Sequence, residues 1–265
     1  MTSPPANRDA SRSWLTHLWH EWLFELRRPI APAFAQPQPH EWPNDRLTAA
    51  WLGHSTVLLN FYGVTILTDP VLFPRIGIRL PFLTIGPKRL TKPALAVREL
   101  PPIDLILLSH AHFDHIDTRT LHHFGRGTQV ITAPRTRDLL RWTKLRGVTE
   151  LGWGEAHTVE TPNRDFVARA FRVRHRGARL QYDNYRGYNG YVIEREGRRV
   201  IFAGDTALTN DFERSAMDGP LIWRSWASAP ISRGSIPIAR PSKRSRWPMP
   251  RGRATSCPCI TKLLN

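Results

Sequence analysis

The sequence has few cysteines and no long apolar run, and each absence excludes a class of protein. Its two cysteines, Cys257 and Cys259, are too close in the chain to staple a fold and too few for a zinc knuckle. No run of about 18 apolar residues is present, which argues against a transmembrane helix. The N-terminus lacks a basic segment followed by an apolar one, so no secretory signal is predicted. We therefore expect a cytoplasmic protein.

Acidic residues are missing from one part of the chain. Gly219–Asn265 holds nine Lys and Arg residues but no Asp or Glu, so more than half of the net charge of +16 lies there. The hydrophobic periodicity also stops after about Gly219, and neither strand nor helix is predicted beyond it. A tail of this charge can contact nucleic-acid phosphates non-specifically. The rest of the chain has no basic-aromatic stripe, so no specific nucleic-acid partner is expected.

Residues 1–45 form an N-terminal region of two parts. Three tryptophans and several leucines recur at helical spacing over about 12–27, which predicts an amphipathic helix. Two interpretations stay open: the helix docks on its own domain, or its tryptophans contact a membrane surface beside Arg27 and Arg28. In the second case the protein is peripheral to a membrane. Pro29–Pro43 carries five prolines and is interpreted as an extended linker.

From Leu47 the pattern changes to short apolar runs that are typical of strands. Helical stretches are predicted near Thr118–Phe124 and Arg135–Lys144. Strands in series with intercalated helices predict an α/β layered sandwich. The predicted strands are Leu47–Leu52, Thr56–Tyr62, Val64–Thr68, Leu105–Ser109, Gln129–Ala133, Phe166–Val173, Tyr191–Glu196 and Arg199–Ala203.

The strand at Leu105 runs directly into a loop with three histidines and a carboxylate. These are His110, His112, Asp114 and His115. Four such groups at the end of a buried strand desolvate poorly unless something binds them, and a divalent metal is the usual solution. His110 and His112 alternate and can face one ion, while Asp114 and His115 can turn toward a second. A solvated histidine-rich loop without metal is the alternative.

Two further candidate ligands follow later strands. His175 comes after the strand at Phe166, and Asp205 follows the strand at Arg199 through Gly204, which permits a tight turn. Taken alone, His175 suits an ordinary surface histidine better than a ligand, and Asp205 suits a helix cap as well as a ligand.

Together, these elements resemble the metallo-β-lactamase superfamily. The resemblance rests on His110-Ala-His112-Phe-Asp114-His115, on His175 and on Gly204-Asp205-Thr206. It covers about Leu47–Phe212. It implies an αββα sandwich of the α/β class whose C-terminal part is incomplete, with a hydrolase domain at 46–220 between the N-terminal region and a tail at 221–265.

Other motifs resemble one branch of that superfamily. Trp51-Leu-Gly-His54-Ser-Thr56 and Leu67-Thr-Asp69-Pro70-Val71 are similar to the branch containing N-acylphosphatidylethanolamine-hydrolysing phospholipase D, near the ascorbate-6-phosphate lactonases. The resemblance implies a zinc-dependent phosphodiesterase that acts on a small or lipid-like substrate through a metal-bound hydroxide. A lactonase on the same metal site is one alternative. A catalytically impaired product of a frameshifted gene is another.

The resemblance also implies a role for each site residue. His110, His112 and His175 would hold a first zinc, Asp114 and His115 a second, and Asp205 would bridge the two. Asp114 and His54 are the candidate catalytic residues, although His54 equally suits a structural hydrogen bond. Asp69 would be a turn-fixing carboxylate behind the ligands.

One feature of the family pattern is missing. The resemblance implies another histidine near the C-terminus for the second zinc, and none of the eleven histidines follows His175. One ion, and not two, is therefore expected in this chain. The codons that can encode the tail can also be read one base out of phase. Because most residues have several codons, that second frame permits segments that resemble the family's C-terminal elements and include histidines. We therefore hypothesise that Leu221–Asn265 is frameshifted, beginning near Gly219–Leu221, which the coding DNA would test.

Overall fold

The computed structural model describes residues 27–79, 84–162, 165–180, 182–207 and 221–225. Within these ranges two β-sheets carry the fold, with short helical turns beside them. The strands are β1 (Leu47–Gly53), β2 (Thr56–Phe61), β3 (Val64–Thr68), β4 (Ile78–Arg79), β5 (Thr84–Ile85), β6 (Leu105–Leu108), β7 (Gln129–Thr132), β8 (Val148–Glu150), β9 (Ala156–Val159), β10 (Phe166–Phe171), β11 (Gly190–Arg195), β12 (Arg198–Phe202) and β13 (Leu221–Ser225). The helix α1 spans Thr118–Leu121, and 3-10 turns lie at Pro39–Glu41, Val97–Glu99 and Arg137–Leu140.

The first sheet has the order β1-β2-β3-β6-β7-β8. Its first three strands form antiparallel hairpins, and β3, β6, β7 and β8 run parallel. The β2–β3 connection is a two-residue turn, Tyr62-Gly63, in which both residues have positive φ (54° and 89°). Such turns match the twist of a hairpin, and glycine adopts the left-handed conformation without strain.

The second sheet has the order β13-β12-β11-β10-β9. It is antiparallel except for β13, which pairs in parallel with β12 at the edge. Because β10 and β12 both run antiparallel to β11, they point the same way and end at the same edge of the sheet.

The main core lies between the two sheets. One hydrophobic cluster contains side chains from both, among them Phe61, Leu107, Tyr191 and Phe202, which are almost fully buried. A second cluster covers the other face of the first sheet, where Leu58 and Ile106 pack with Leu121 of α1 and Phe124. Burial of such side chains stabilises a fold by about 1.5–3 kcal/mol each, so the strands that carry the site form a rigid support.

Each of the eight predicted strands is present, with ends that differ by no more than two residues from the prediction. The sequence reading missed β4, β5, β8 and β9. These are strands of two to four residues, too short for a period-2 pattern to stand out. The predicted helix at Thr118–Phe124 is confined to α1, and that at Arg135–Lys144 is reduced to one 3-10 turn. The predicted helix at about 12–27 lies outside the described residues except for Arg27.

The prediction that no strand follows Gly219 is wrong for Leu221–Ser225. These residues form β13 and pair with Arg199–Phe202. Leu, Ile and Trp favour strands, and β12 would otherwise present an unpaired edge. A run of three apolar residues was too short to be recognised among basic neighbours. The first five residues of the predicted tail are therefore regular and not irregular. The frameshift hypothesis itself stays a prediction.

Every helix in the described ranges is too short or too polar to cross a membrane.

Candidate metal centre

The predicted ligands lie on loops that follow three strands of the two sheets. The loop after β6 carries His110, His112, Asp114 and His115, the segment after β10 carries His175, and the turn after β12 carries Asp205. Asn189, just before β11, donates its backbone N–H to the Ser109 carbonyl (2.8 Å), and the Tyr191 hydroxyl donates to the Leu108 carbonyl (2.9 Å). These bonds link the end of β6 to the second sheet beside the ligands.

Gly204 makes a close approach between the sheets possible. Its φ is +59°, and a Cβ added there would lie 2.5 Å from Cβ of Ser109. Only glycine fits a left-handed residue with so little space. The turn that presents Asp205 can therefore rest directly on the loop that presents His110.

Three imidazoles form the first half of the site. This three-imidazole group consists of His110, His112 and His175. Nε2 of His110 lies 2.8 Å from Nδ1 of His112 and 3.0 Å from Nε2 of His175, and the latter two nitrogens are 3.4 Å apart. Ligand atoms 2.0–2.1 Å from a tetrahedral zinc ion lie about 3.3 Å from one another. The three nitrogens thus converge at the separations expected around one ion.

A second group of side chains adjoins the first. This mixed group consists of His54, Asp114, His115 and Asp205. Oδ2 of Asp114 lies 3.1 Å from Nε2 of His54 and 3.8 Å from Nε2 of His115. Oδ2 of Asp205 lies 3.3 Å from Nε2 of His115 and 4.0 Å from Nε2 of His175. Asp205 therefore stands between the two groups.

Two atoms of the mixed group are buried without a hydrogen-bond partner among the described residues. They are Nε2 of His115 and Oδ1 of Asp205. An unsatisfied buried polar atom costs about 1–3 kcal/mol. Both atoms lie within a cluster of imidazoles and carboxylates, which are the usual ligands of zinc and of other first-row metals. A metal ion bound there would satisfy them.

Asp69 supports both groups from behind. Its fully buried carboxylate lies 2.6 Å from Nδ1 of His115 and accepts hydrogen bonds from the backbone N–H and the hydroxyl of Ser109 (2.7 and 2.6 Å). The same hydroxyl lies 2.8 Å from Nδ1 of His110. Bonds to the far nitrogen of a metal-binding histidine fix its ring and tautomer. The arrangement suits the predicted role of Asp69 and adds Ser109, which the sequence reading missed.

The two groups differ in protonation. Burial lowers the pKa of His110, His112 and His175, which keeps these imidazoles neutral with a free electron pair. Burial acts in the same direction on His115, but the negative charges of Asp69, Asp205 and Asp114 outweigh it and raise its pKa to about 10.

Asp114 stays ionised in this setting. Burial acts to raise its pKa, but the hydrogen bond with His54 and the charge of His115 hold the pKa well below its usual range. In the mixed group, carboxylates thus surround a protonated histidine.

Arg179 is a second residue that the sequence reading missed. One of its guanidinium nitrogens donates to the carbonyl oxygens of Ala111 (2.8 Å) and Ile116 (3.1 Å), and the guanidinium stacks over the Phe113 ring at 3.9 Å. These carbonyls lie on either side of Asp114 in the ligand loop. Arg179 also follows His175 by four residues, so it ties the third imidazole's segment to that loop. No local sequence signal marks such a long-range contact.

An open cavity of about 850 Å³ borders the three-imidazole group. None of the described residues that line it is acidic. It is formed by His112, Arg174, His175, Arg176, Ala178, Arg179, Leu180 and Asn184. A cavity with three arginines beside a metal-ligand cluster favours an anionic ligand.

Comparison with known proteins identifies the family. The model of the β-lactamase superfamily domain matches residues 64–223, more than half of the chain. An N-acyl-phosphatidylethanolamine-hydrolyzing phospholipase D 1 of Caenorhabditis elegans is 33% identical over 171 residues, which cover 61% of this chain and 47% of that protein. A metal-dependent hydrolase of Exiguobacterium sp. is 29% identical over 174 residues, 63% of this chain and 66% of that protein.

A solved structure also shares the fold. It is described as a possible metal-dependent hydrolase from Veillonella parvula, with a TM-score of 0.50 and 19% identity over 66% of this chain and 70% of that one. The chain spans about half the length of the C. elegans relative. The predicted metallo-β-lactamase-type fold is confirmed: this chain belongs to the β-lactamase superfamily domain family, with metal-dependent hydrolases among its relatives.

Proposed function

We propose that the chain is a zinc-dependent phosphodiesterase of phospholipase D type. The observation that carries the proposal is that ring nitrogens of His110, His112 and His175 lie within 3.4 Å of one another. Asp205 lies between this group and His115. The similarity to the N-acyl-phosphatidylethanolamine-hydrolyzing phospholipase D 1 of C. elegans supports hydrolysis of a phosphodiester. The residues proposed as metal ligands are His110, His112, Asp114, His115, His175 and Asp205.

The donor set fits metal ions in number and type. Three neutral imidazoles with one carboxylate make a nitrogen-rich first site, and carboxylates with His115 make a second, a combination that suits zinc. When bound, the ions would supply Lewis acidity toward a phosphoryl oxygen and let water ionise near neutral pH.

The chain's own residues bind and orient the substrate. Arg174, Arg176 and Arg179 border the cavity next to His175 and would attract the negative charge of a phosphodiester. Asp114, ionised and hydrogen-bonded to His54, would accept a hydrogen bond from the attacking water and orient it. Ser109 and Asp69 hold the imidazole rings of His110 and His115 in place.

A lipid-like substrate and a cytoplasmic, membrane-peripheral location remain parts of this proposal. So does the division into the N-terminal region 1–45, the hydrolase domain 46–220 and the tail 221–265. In the same proposal, the amphipathic segment at about 12–27 either docks on its own domain or contacts the membrane surface.

The test combines metal removal with a substrate panel. The purified full chain should hydrolyse a phosphodiester, lose that activity on chelation and regain it with Zn²⁺. The panel should contain N-acylphosphatidylethanolamine vesicles, bis(p-nitrophenyl) phosphate and an acylated lactone. Turnover of the lactone alone would favour the lactonase alternative, and a chain that binds no metal and hydrolyses nothing would favour the impaired product.

A further inference from the structure

The mixed group contains a histidine in a position to complete the second metal site. His54 lies at the tip of the β1–β2 hairpin, 60 residues before Asp114 in the chain, and its Nε2 is 3.1 Å from Oδ2 of Asp114. One ligand atom each from His54, Asp114 and His115 lies within 4.8 Å of the other two. Asp205 lies beside this group, with its Oδ2 3.3 Å from Nε2 of His115.

The separations in this group resemble those of ligands around a single ion. They are 3.1 Å for His54–Asp114, 3.8 Å for Asp114–His115 and 3.3 Å for His115–Asp205. Neighbouring ligand atoms of a tetrahedral zinc ion lie about 3.3 Å apart. A histidine held only by a hydrogen bond would need to lie close to Asp114 alone, whereas the ligand atom of His54 lies within 4.8 Å of those of both Asp114 and His115.

The buried Nε2 of His115 provides an independent observation. The His115 side chain is fully buried, and its Nε2 faces Asp205 and Asp114 without a hydrogen-bond partner among the described residues. A ligand at the centre of the group would satisfy this atom. Oδ1 of Asp205 is buried and unsatisfied as well.

The backbone at His54 is arranged to present the ring. His54 has a φ of 54°, a conformation that is uncommon for residues other than glycine. Its carbonyl accepts a hydrogen bond of 2.5 Å from the indole N–H of Trp51, and the Ser55 hydroxyl donates to the Asp114 carbonyl at 3.4 Å. The hairpin tip is thereby fixed against the loop that carries Asp114 and His115.

We propose that His54 is a protein ligand of the second metal ion, together with Asp114, His115 and the bridging Asp205. This inference rests on the proposed function, because it assumes that the site binds metal. It replaces the expectation, drawn from the absence of a histidine after His175, that the chain holds one ion. The His54 ring donates its Nε2–H to the ionised Asp114, and coordination through Nε2 would require the neutral tautomer that carries its proton on Nδ1.

The experiment measures metal binding without reference to turnover. The full chain is freed of metal with a chelator and titrated with Zn²⁺ against a competing indicator, and with Co²⁺ followed by visible absorption. His54→Asn is the principal variant, because asparagine tolerates the left-handed backbone but is a poor metal ligand. His157→Asn, on β9 away from both groups, is the matched control. Circular dichroism of the metal-free proteins checks folding.

We expect two ions in the native chain and in His157→Asn. His54→Asn should keep one ion with unchanged affinity and lose affinity for the other by more than about 100-fold, the upper end of the effect of removing a residue behind a ligand. His54→Gly should regain the second ion and its Co²⁺ spectrum when free imidazole is added. That rescue would separate a missing ligand from a misfolded hairpin.

The outcomes separate this inference from the proposed function. If His54→Asn binds the second ion within threefold of the native affinity, His54 is a hydrogen-bonded neighbour and the inference is overturned. If the native chain holds one ion, the inference also fails, while a metal-dependent function stands on the three-imidazole group. If the native chain binds no metal at all, the proposed function fails with it.

Discussion

The three-imidazole group and the mixed group adjoin each other, but they achieve their arrangement by different physical means. In the first, burial lowers the pKa of each imidazole, so His110, His112 and His175 are neutral imidazoles that already face one another. In the second, carboxylates surround His115 and raise its pKa to about 10, so the positive charge among these carboxylates is that of a protonated imidazole. One group is ready to bind an ion, and the other must first release a proton.

For the proposed two-metal site, the contrast predicts an order of filling. Metal ligands must be deprotonated, so affinity falls where a proton has to leave. The three-imidazole group is therefore expected to fill first. In the mixed group, carboxylates balance the charge of the protonated His115, but Nε2 of His115 lacks a hydrogen-bond partner among the described residues. The second ion must displace the proton of His115 before it binds there.

The largest effect should come from removing a ligand of the first group. His110→Ala deletes an imidazole whose Nε2 contacts both other histidines of that group. Zinc sites of about four ligands bind with about 10–16 kcal/mol, so one ligand is worth roughly 3 kcal/mol, or about two orders of magnitude. Competition titration should show this loss together with nearly complete loss of hydrolysis. His122→Ala, an exposed histidine away from both groups, should retain native affinity, and equal binding by the two variants would contradict the assignment.

A more selective effect is expected from Asp69→Asn. The substitution removes the negative charge next to Nδ1 of His115 but keeps the size of the side chain. Affinity of the mixed group should fall by about 10–100-fold, while that of the three-imidazole group, which Asp69 reaches only through Ser109, should fall less. Zinc titration of Asp69→Asn and of Asp117→Asn, which retains its role as the cap of α1, measures the difference. A uniform loss at both ions would mean that Asp69 supports the fold and does not act on one group.

The pH dependence should also separate the groups. Because the pKa of His115 is raised to about 10, the second ion displaces a proton throughout the neutral range. Its affinity should rise by up to about tenfold per pH unit between pH 7 and 9. The lowered pKa values of the three imidazoles predict no proton release and a flat affinity over the same range. Calorimetry in two buffers of different ionisation enthalpy would count the protons, and release of a proton by the first ion would contradict the assignment.

The smallest effect, and the one shared by both groups, is expected from Arg179→Lys. Lysine cannot reproduce the planar guanidinium that donates to Ala111 and Ile116 and stacks on Phe113. The ligand loop should become less well held, and both ions should bind up to about tenfold more weakly, the lower end of the effect of supporting residues. Arg176→Lys, at an exposed position in the same cavity, should leave metal affinity unchanged. If the affinity for one ion alone falls, Arg179 acts on a single ligand and does not support the whole loop.

The positions of the ligands follow closely from the sequence, because each lies just after a strand that the alternation of apolar residues identifies. The strands at Leu105, Phe166 and Arg199 were predicted with nearly their observed bounds, and His110, His175 and Asp205 follow their ends. The short strands β8 and β9 and the edge strand β13 were not predicted. Their few residues form strands because a neighbouring strand offers hydrogen bonds, which is information from outside the segment.

The sequence by itself determined the types of candidate ligand, their order and the strand ends that bear them, because side-chain chemistry and hydrophobic periodicity are local properties. Only the tertiary structure decided which atoms meet. The close contact of Gly204 with Ser109 brings Asp205 to His115, the β1–β2 hairpin sets His54 against Asp114, and Arg179 reaches back to the loop of Ala111. These pairs are separated by tens of residues, and their distances are set by the packing of two sheets around a common core.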